Sequence, residues 1–167
     1  MKRLYILRHA KSSWNDSTLS DFERPLNERG REAAPFMGEL MAKRGWLPDI
    51  ILSSPAERAL QTTRLVIDNS GFASSFVLSD RIYEASPQGL KKIVSGLDDD
   101  LDSAMLVGHN PGIEGLIELM TGENRRMPTA ALAIIDIEAE SWKTAFETKS
   151  VIVETIKPKE LMKIETG

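Results

Sequence analysis

Short apolar runs alternate with longer amphipathic stretches along this chain, and that alternation sets the expected elements. Runs rich in Ile, Leu and Val, bounded by Ser, Asp, Gly or Pro, predict strands at residues 2–7, 50–52, 76–78 and 104–107, with two more at 132–137 and 150–156. Between them, apolar positions at helical spacing predict helices over residues 28–43, 55–69, 87–97 and 111–121. Three of these are expected to open on a polar cap followed by proline, at Ser54-Pro55, Ser86-Pro87 and Asn110-Pro111, because a capping side chain and proline's fixed φ both suit a first helical turn. Alternating strands and helices predict an α/β fold: a three-layer α/β/α sandwich with a mostly parallel sheet and helices on both faces. Residues 11–26 are polar and irregular, and a loop of that length often carries function.

Composition narrows this picture. At 167 residues and 41% hydrophobic content, the chain is expected to form a single domain over residues 1–167. Lys plus Arg number 21 against 25 Asp plus Glu, a net charge of -4, which argues against broad attraction to nucleic acid or anionic lipid. Any anion site must therefore be local. With no cysteine, disulfides, thiolate metal sites and a thiol nucleophile are excluded, which leaves histidine, serine or carboxylate. The apolar run Leu4-Tyr5-Ile6-Leu7 stops at Arg8-His9, too short for a signal core or a membrane span, so a cytoplasmic protein with no membrane or nucleic-acid partner is expected. The four aspartates in residues 98–102 are read as a solvated helix end rather than a metal site, since no histidine lies near them.

Both histidines follow predicted strands, in Leu7-Arg8-His9 and Val107-Gly108-His109; Arg58 and Glu84 come after two other strands. Ligands of open α/β sheets bind outside the carboxyl ends of the strands, so these groups converge on one edge if the strands are parallel neighbours. Arg58 falls in the first turn of its helix, where the macrodipole favours negative groups. Two readings stand: Glu57, in a capping-box-like Ser54-x-x-Glu57, offsets the charge, or an anion bridges Arg58 and the helix start. Asn110, beside His109, has the same two readings, plain helix cap or part of a phosphate site.

These residues resemble the histidine phosphatase superfamily, the phosphoglycerate-mutase-like proteins, and within it the SixA-type phosphohistidine phosphatases. The run Arg8-His9-Ala10-Lys11-Ser12-Ser13-Trp14-Asn15 is similar to the family's opening Arg-His-Gly-Glu-Ser-x-Trp-Asn. Arg24-Pro25-Leu26-Asn27-Glu28-Arg29-Gly30 resembles its Pro-Leu-Thr-x-x-Gly motif, Ser53 to Thr62 its second arginine motif, and Val107-Gly108-His109-Asn110-Pro111 its second histidine motif. Ala10 and Lys11 depart from the usual Gly and Glu, as in the SixA-like subgroup, and the mutases' long insertion over the site is missing.

The resemblance implies a metal-independent, cofactor-free phosphatase. His9 becomes a covalent phosphohistidine, and Arg8, Arg58 and His109 surround the transferring group. For His9 to attack, its ring must be neutral, with its other nitrogen donating to an acceptor such as a backbone carbonyl. Asn15 is either a further phosphate donor or part of a plain turn, and Glu84 either a general acid or a surface residue. The substrate is expected to be phosphohistidine on a signalling or phosphotransfer protein. Alternatives are a small phosphorylated metabolite, or no reaction at all, in a phosphoprotein-binding module.

Overall fold

The computed structural model describes residues 1–72 and 75–166, with the side chains of residues 75 and 163–166 left aside. Six strands, β1 (Lys2–Arg8), β2 (Ile50–Ser53), β3 (Ser75–Leu78), β4 (Ser103–Gly108), β5 (Leu132–Ile137) and β6 (Ser150–Ile156), form one sheet in the order β3-β2-β4-β1-β5-β6. β3, β2, β4 and β1 run parallel, whereas β5 pairs antiparallel with both β1 and β6. The sheet is thus mixed, and β5 alone runs against the other five.

Strand alternation divides the core into two layers. Leu4 and Ile6 of β1, with Leu106 of β4 and Ile135 of β5, point to one face, and Tyr5, Leu7, Met105 and Ile134 to the other. The first face is covered by α3 (Pro87–Ser95) and α4 (Gly112–Thr121), which contribute Leu90, Val94, Ile113 and Leu116. The second is covered by α1 (Glu28–Arg44), α2 (Glu57–Ser70) and α5 (Pro158–Thr166), through Met37, Met41, Val66 and Leu161. This is the expected three-layer sandwich, with the addition of α5, which the sequence pattern did not predict. Among the described residues no helix is long and apolar enough to cross a membrane.

Of the three expected caps, one stands. Ser86 accepts from Gly89 N and caps α3. Ser54 does not cap α2, which begins at Glu57 behind Ala56; its hydroxyl instead accepts from Ala56 N and meets His109. Asn110 does not cap α4 either: the Asn110–Pro111 peptide is cis, Pro111 flanks the helix, and the Asn110 amide is diverted to Met127 O at 2.9 Å. The Asp98 to Asp102 run is structural. Asp99 accepts from Trp142 N and Ser141, and Lys2 donates to the carbonyls of Asp99 and Leu101.

Candidate active site

The chain leaves β1 towards the α1 face and β4 towards the α4 face, so a crevice opens between the carboxyl ends of these two neighbouring strands. Register pairs Arg8 with Gly108, and His9 N continues the ladder by donating to Gly108 O at 3.1 Å. His9 O accepts from Ala130 N, and Ser54 N donates to Val107 O. Backbone hydrogen bonds therefore set His9, His109 and Ser54 side by side. The two imidazoles lie 5.1 Å apart between centroids.

His9 is buried, and its Nδ1 stands 2.7 Å from Ala10 O, a carbonyl that can only accept. Nδ1 must then carry the hydrogen, which leaves the lone pair on Nε2. Burial, opposed by the Ala10 hydrogen bond and reinforced by His109, Arg58 and Arg8, lowers the His9 pKa to about 3. His109 is lowered to about 4, by burial first and then by Arg58. Both rings are neutral near pH 7. His109 Nε2 meets Ser54 Oγ at 2.7 Å. Arg8 Nη1 donates to Met127 O, and burial lowers its pKa too. Among the described residues, Arg8 Nε, His109 Nδ1 and Asn110 Oδ1 are buried atoms without a hydrogen-bond partner, and all three residues line the same pocket. Polar atoms left unpaired in this way concentrate where function demands them.

Of the two readings of Arg58, the one that pairs it with Glu57 does not hold. Its charge is offset not by Glu57, which binds Gln61 instead, but by Asp21: Nη1 donates to Asp21 O at 2.7 Å and Nη2 to the carboxylate at 3.0 Å. The same carboxylate accepts from Arg24 Nη1 at 2.9 Å and Tyr83 OH at 2.7 Å. Tyr83 first, then Arg58, holds the Asp21 pKa down to about 2, while burial and Asp21 push Tyr83 up to about 12. Arg24 is further fixed by Ser13 O and Ser12 Oγ, and its guanidinium lies 3.2 Å over the Trp14 ring. The loop that carries these residues is anchored by Gly30, where a Cβ would stand 2.2 Å from Lys11 O, and by Thr62, which accepts from Ala10 N and donates to Arg58 O.

The resulting pocket, about 380 Å³ and open to solvent, brings together Arg8, His9, Arg58, His109 and Asn110 of the expected residues. It also takes in Arg24, Lys11, Ser12, Trp14 and Thr129. Asn15 is exposed outside it, its N–H donating to Ser13 Oγ, just before a turn closed by Asp16 and Thr18. Glu84 does not directly follow β3; a single 3-10 turn, Asp80–Ile82, intervenes, and Glu84 is exposed in a neighbouring cleft with φ 55°, a left-handed backbone rare outside glycine. Sequence reasoning missed Asp21, Ser54 and Tyr83 as site residues. Arg24 had a signal in its Arg-Pro-Leu motif; Asp21 had none beyond standing three residues before it.

Four cations around a neutral imidazole form a site for binding and attacking an anionic group, of the phosphoryl class. A profile of the histidine phosphatase superfamily (branch 1) matches residues 4–93. The crystal structure of a SixA protein of Agrobacterium tumefaciens, assigned as a phosphohistidine phosphatase, gives a TM-score of 0.82 at 32% identity, covering 94% of this chain and 98% of that one. The protein histidine phosphatase SixA with bound tungstate gives 0.83 at 20% identity, with 95% and 99% covered, a likeness of fold. A chloroplastic protein of Arabidopsis thaliana is 32% identical over 154 residues, 87% of this chain and 71% of its own. The chain belongs to the histidine phosphatase superfamily, and its sandwich is the phosphoglycerate-mutase-like fold.

Proposed function

We propose that this phosphatase works without a metal, through a covalent phosphohistidine on His9, and removes phosphate from phosphohistidine of a signalling or phosphotransfer protein. One observation carries the nucleophile: the Nδ1 contact with Ala10 O, which keeps the lone pair on Nε2 in a ring that is neutral at physiological pH. Nε2 attacks phosphorus in line. Arg8 and Arg58, with Arg24 beside them, donate to the equatorial oxygens and supply the charge that a metal ion supplies in kinases, and the neutral His109 ring adds a hydrogen bond. Water then attacks the phosphorus of phospho-His9, restoring the imidazole and releasing orthophosphate. Glu84 stands in the neighbouring cleft as the proton donor for leaving groups that need one, with Asn110 ordering the pocket wall through Met127 O.

The substrate class rests on the open pocket, which admits a side chain on a protein surface, and on the likeness to SixA proteins. A neutral, oriented imidazole is more than a phosphoprotein-binding module would need, and no single observation favours a metabolite over a protein. Rapid quench with labelled substrate is expected to trap acid-labile, alkali-stable phosphate on His9. His9→Ala is expected to abolish both adduct and turnover, a fall of roughly 10⁴- to 10⁶-fold for loss of a nucleophile. Label on serine or aspartate, or turnover without His9, would overturn the mechanism. A panel of phosphohistidine protein, phosphoserine and phosphotyrosine peptides and sugar phosphates tests the substrate.

A further inference from the structure

A second cleft, about 510 Å³, adjoins the cationic pocket and shares Arg58, His109 and Asn110 with it, but not His9. Its character differs. Where the first pocket presents Arg8, Lys11 and Arg24, the second presents the Tyr83 ring with Ala85, Pro87 and Pro111, and Glu84 beside them. Arg58, its one cation, is engaged by Asp21, whose carboxylate also holds Tyr83 OH. Tyr83 is thus fixed at its hydroxyl, with its ring packed edge-on to His109 at 5.6 Å and to Phe22 at 5.0 Å. The close approach of α4 to the turn that carries Glu84 and Ala85 depends on Gly112, where a Cβ would stand 2.5 Å from Ala85 O.

Resting on the His9 mechanism above, we infer that this cleft receives the leaving group, and that Tyr83 selects for one that is a flat, uncharged or weakly cationic ring. In-line displacement sends the leaving group away from the nucleophile. The second cleft shares Arg58, His109 and Asn110 with the phosphoryl site and is not lined by His9, so it offers a leaving group room beside the phosphoryl group and off the nucleophile. A ring gains an aromatic contact against Tyr83. A polyanionic leaving group would instead meet Glu84 and the Asp21 carboxylate, with Arg58, already shared between Asp21 and the phosphoryl site, as the one cation in the described lining. For phosphohistidine the step balances without any further reactant. The substrate's P–N bond breaks as His9 Nε2 forms its bond to phosphorus; the electron pair returns to the substrate nitrogen, and the proton already on its other ring nitrogen leaves a neutral imidazole. While that ring is still cationic, Glu84 offers it a carboxylate.

Two measurements test this. In the unaltered protein, orthophosphate and imidazole are expected to inhibit together in double-inhibition kinetics, each occupying its own cleft; mutually exclusive binding would overturn the inference. Second, the ratio of kcat/KM for phosphohistidine and p-nitrophenyl phosphate over that for phosphoserine is expected to fall about 5- to 10-fold in Tyr83→Leu, the worth of one aromatic contact, chiefly through KM. Tyr83→Phe, which keeps the ring and loses only the bond to Asp21, is expected to hold that ratio. If Tyr83→Leu slows all substrates alike, or Tyr83→Phe loses selectivity equally, the ring does not select. In either case burst labelling of His9 persists, whereas failure of the His9 mechanism would remove the burst from every variant and from the unaltered protein.

Discussion

The two histidines and the two buried arginines of the α2 side reach the same pocket by different physical means. His9 and His109 are carried by the ends of adjacent strands and held by ladder hydrogen bonds such as His9 N to Gly108 O, backed by a core in which Leu7 and Val107 are fully buried. Arg24 and Arg58 come from a loop and a helix start and are aimed by one half-exposed carboxylate, Asp21. In the proposed mechanism the attacking ring sits on rigid backbone, while the arginine donors for the phosphoryl group depend on a side chain. Such a division suits the proposed roles, since a nucleophile misplaced by about 1 Å can cost 10²-fold, while a planar guanidinium needs a partner that fixes its fork.

Replacing groups on either side of this division sharpens it. Arg58→Ala or His109→Ala is expected to lower kcat by roughly 10²- to 10³-fold, the usual cost of one charge-stabilising donor, measured in steady state with folding checked by thermal melting. A rate within a few-fold of the parent would remove that residue from the site. Asp21→Ala is expected to act through the arginines, weakening orthophosphate inhibition by about 10-fold with a smaller change in kcat, in line with the one to two kcal/mol of a charge-assisted hydrogen bond. In the Asp21→Ala, Arg58→Ala double variant the two losses should not add, because the carboxylate works through the guanidinium it holds. Additive losses would make the two independent.

The histidines have a pH consequence nearer neutrality than that of the arginine side, where Asp21 titrates only at about 2. Their folded pKa values, about 3 for His9 and about 4 for His109, lie below the ordinary value of about 6.5. Between those limits the unfolded chain binds more protons than the folded one, so stability rises with pH; acidification from about 6.5 towards 4 should cost stability progressively. Urea midpoints at pH 7 and pH 5 should show the fall, and His9→Ala should make it shallower. A midpoint independent of pH over that range would mean that the rings are not held neutral by burial.

What the sequence made legible follows the same division. Strand ends can be read from apolar runs, so the sequence alone puts Arg8, His9, Arg58, His109 and Glu84 on one edge, where the pocket gathers the first four and the neighbouring cleft takes Glu84. Strand direction was not legible: β5, which runs against the other five, carries the same apolar signature as the parallel strands. Side chains that reach across the fold left no local trace. Ser54 and Asn110 look like caps in sequence, yet each is used elsewhere, on His109 and on Met127, because tertiary partners compete with the local cap for the same polar atoms. Asp21 and Tyr83 are 62 residues apart and meet only once β3 and the loop after β1 are brought to the same edge. α5 packs against the second core layer through Leu161.

The Trp14–Arg24 stack makes the protein its own optical probe. Trp46 and Trp142 are buried, whereas Trp14 is 76% exposed, so it is the indole most open to aqueous quenchers and carries the solvent-relaxed part of the emission. Its ring lies under the Arg24 guanidinium at the pocket wall. Any anion that draws Arg24 inward must change what that indole stacks upon, so entry of orthophosphate or vanadate should be readable as a saturable change in fluorescence, without label or coupled assay. Trp14→Phe should silence the signal while leaving the pocket its aromatic platform.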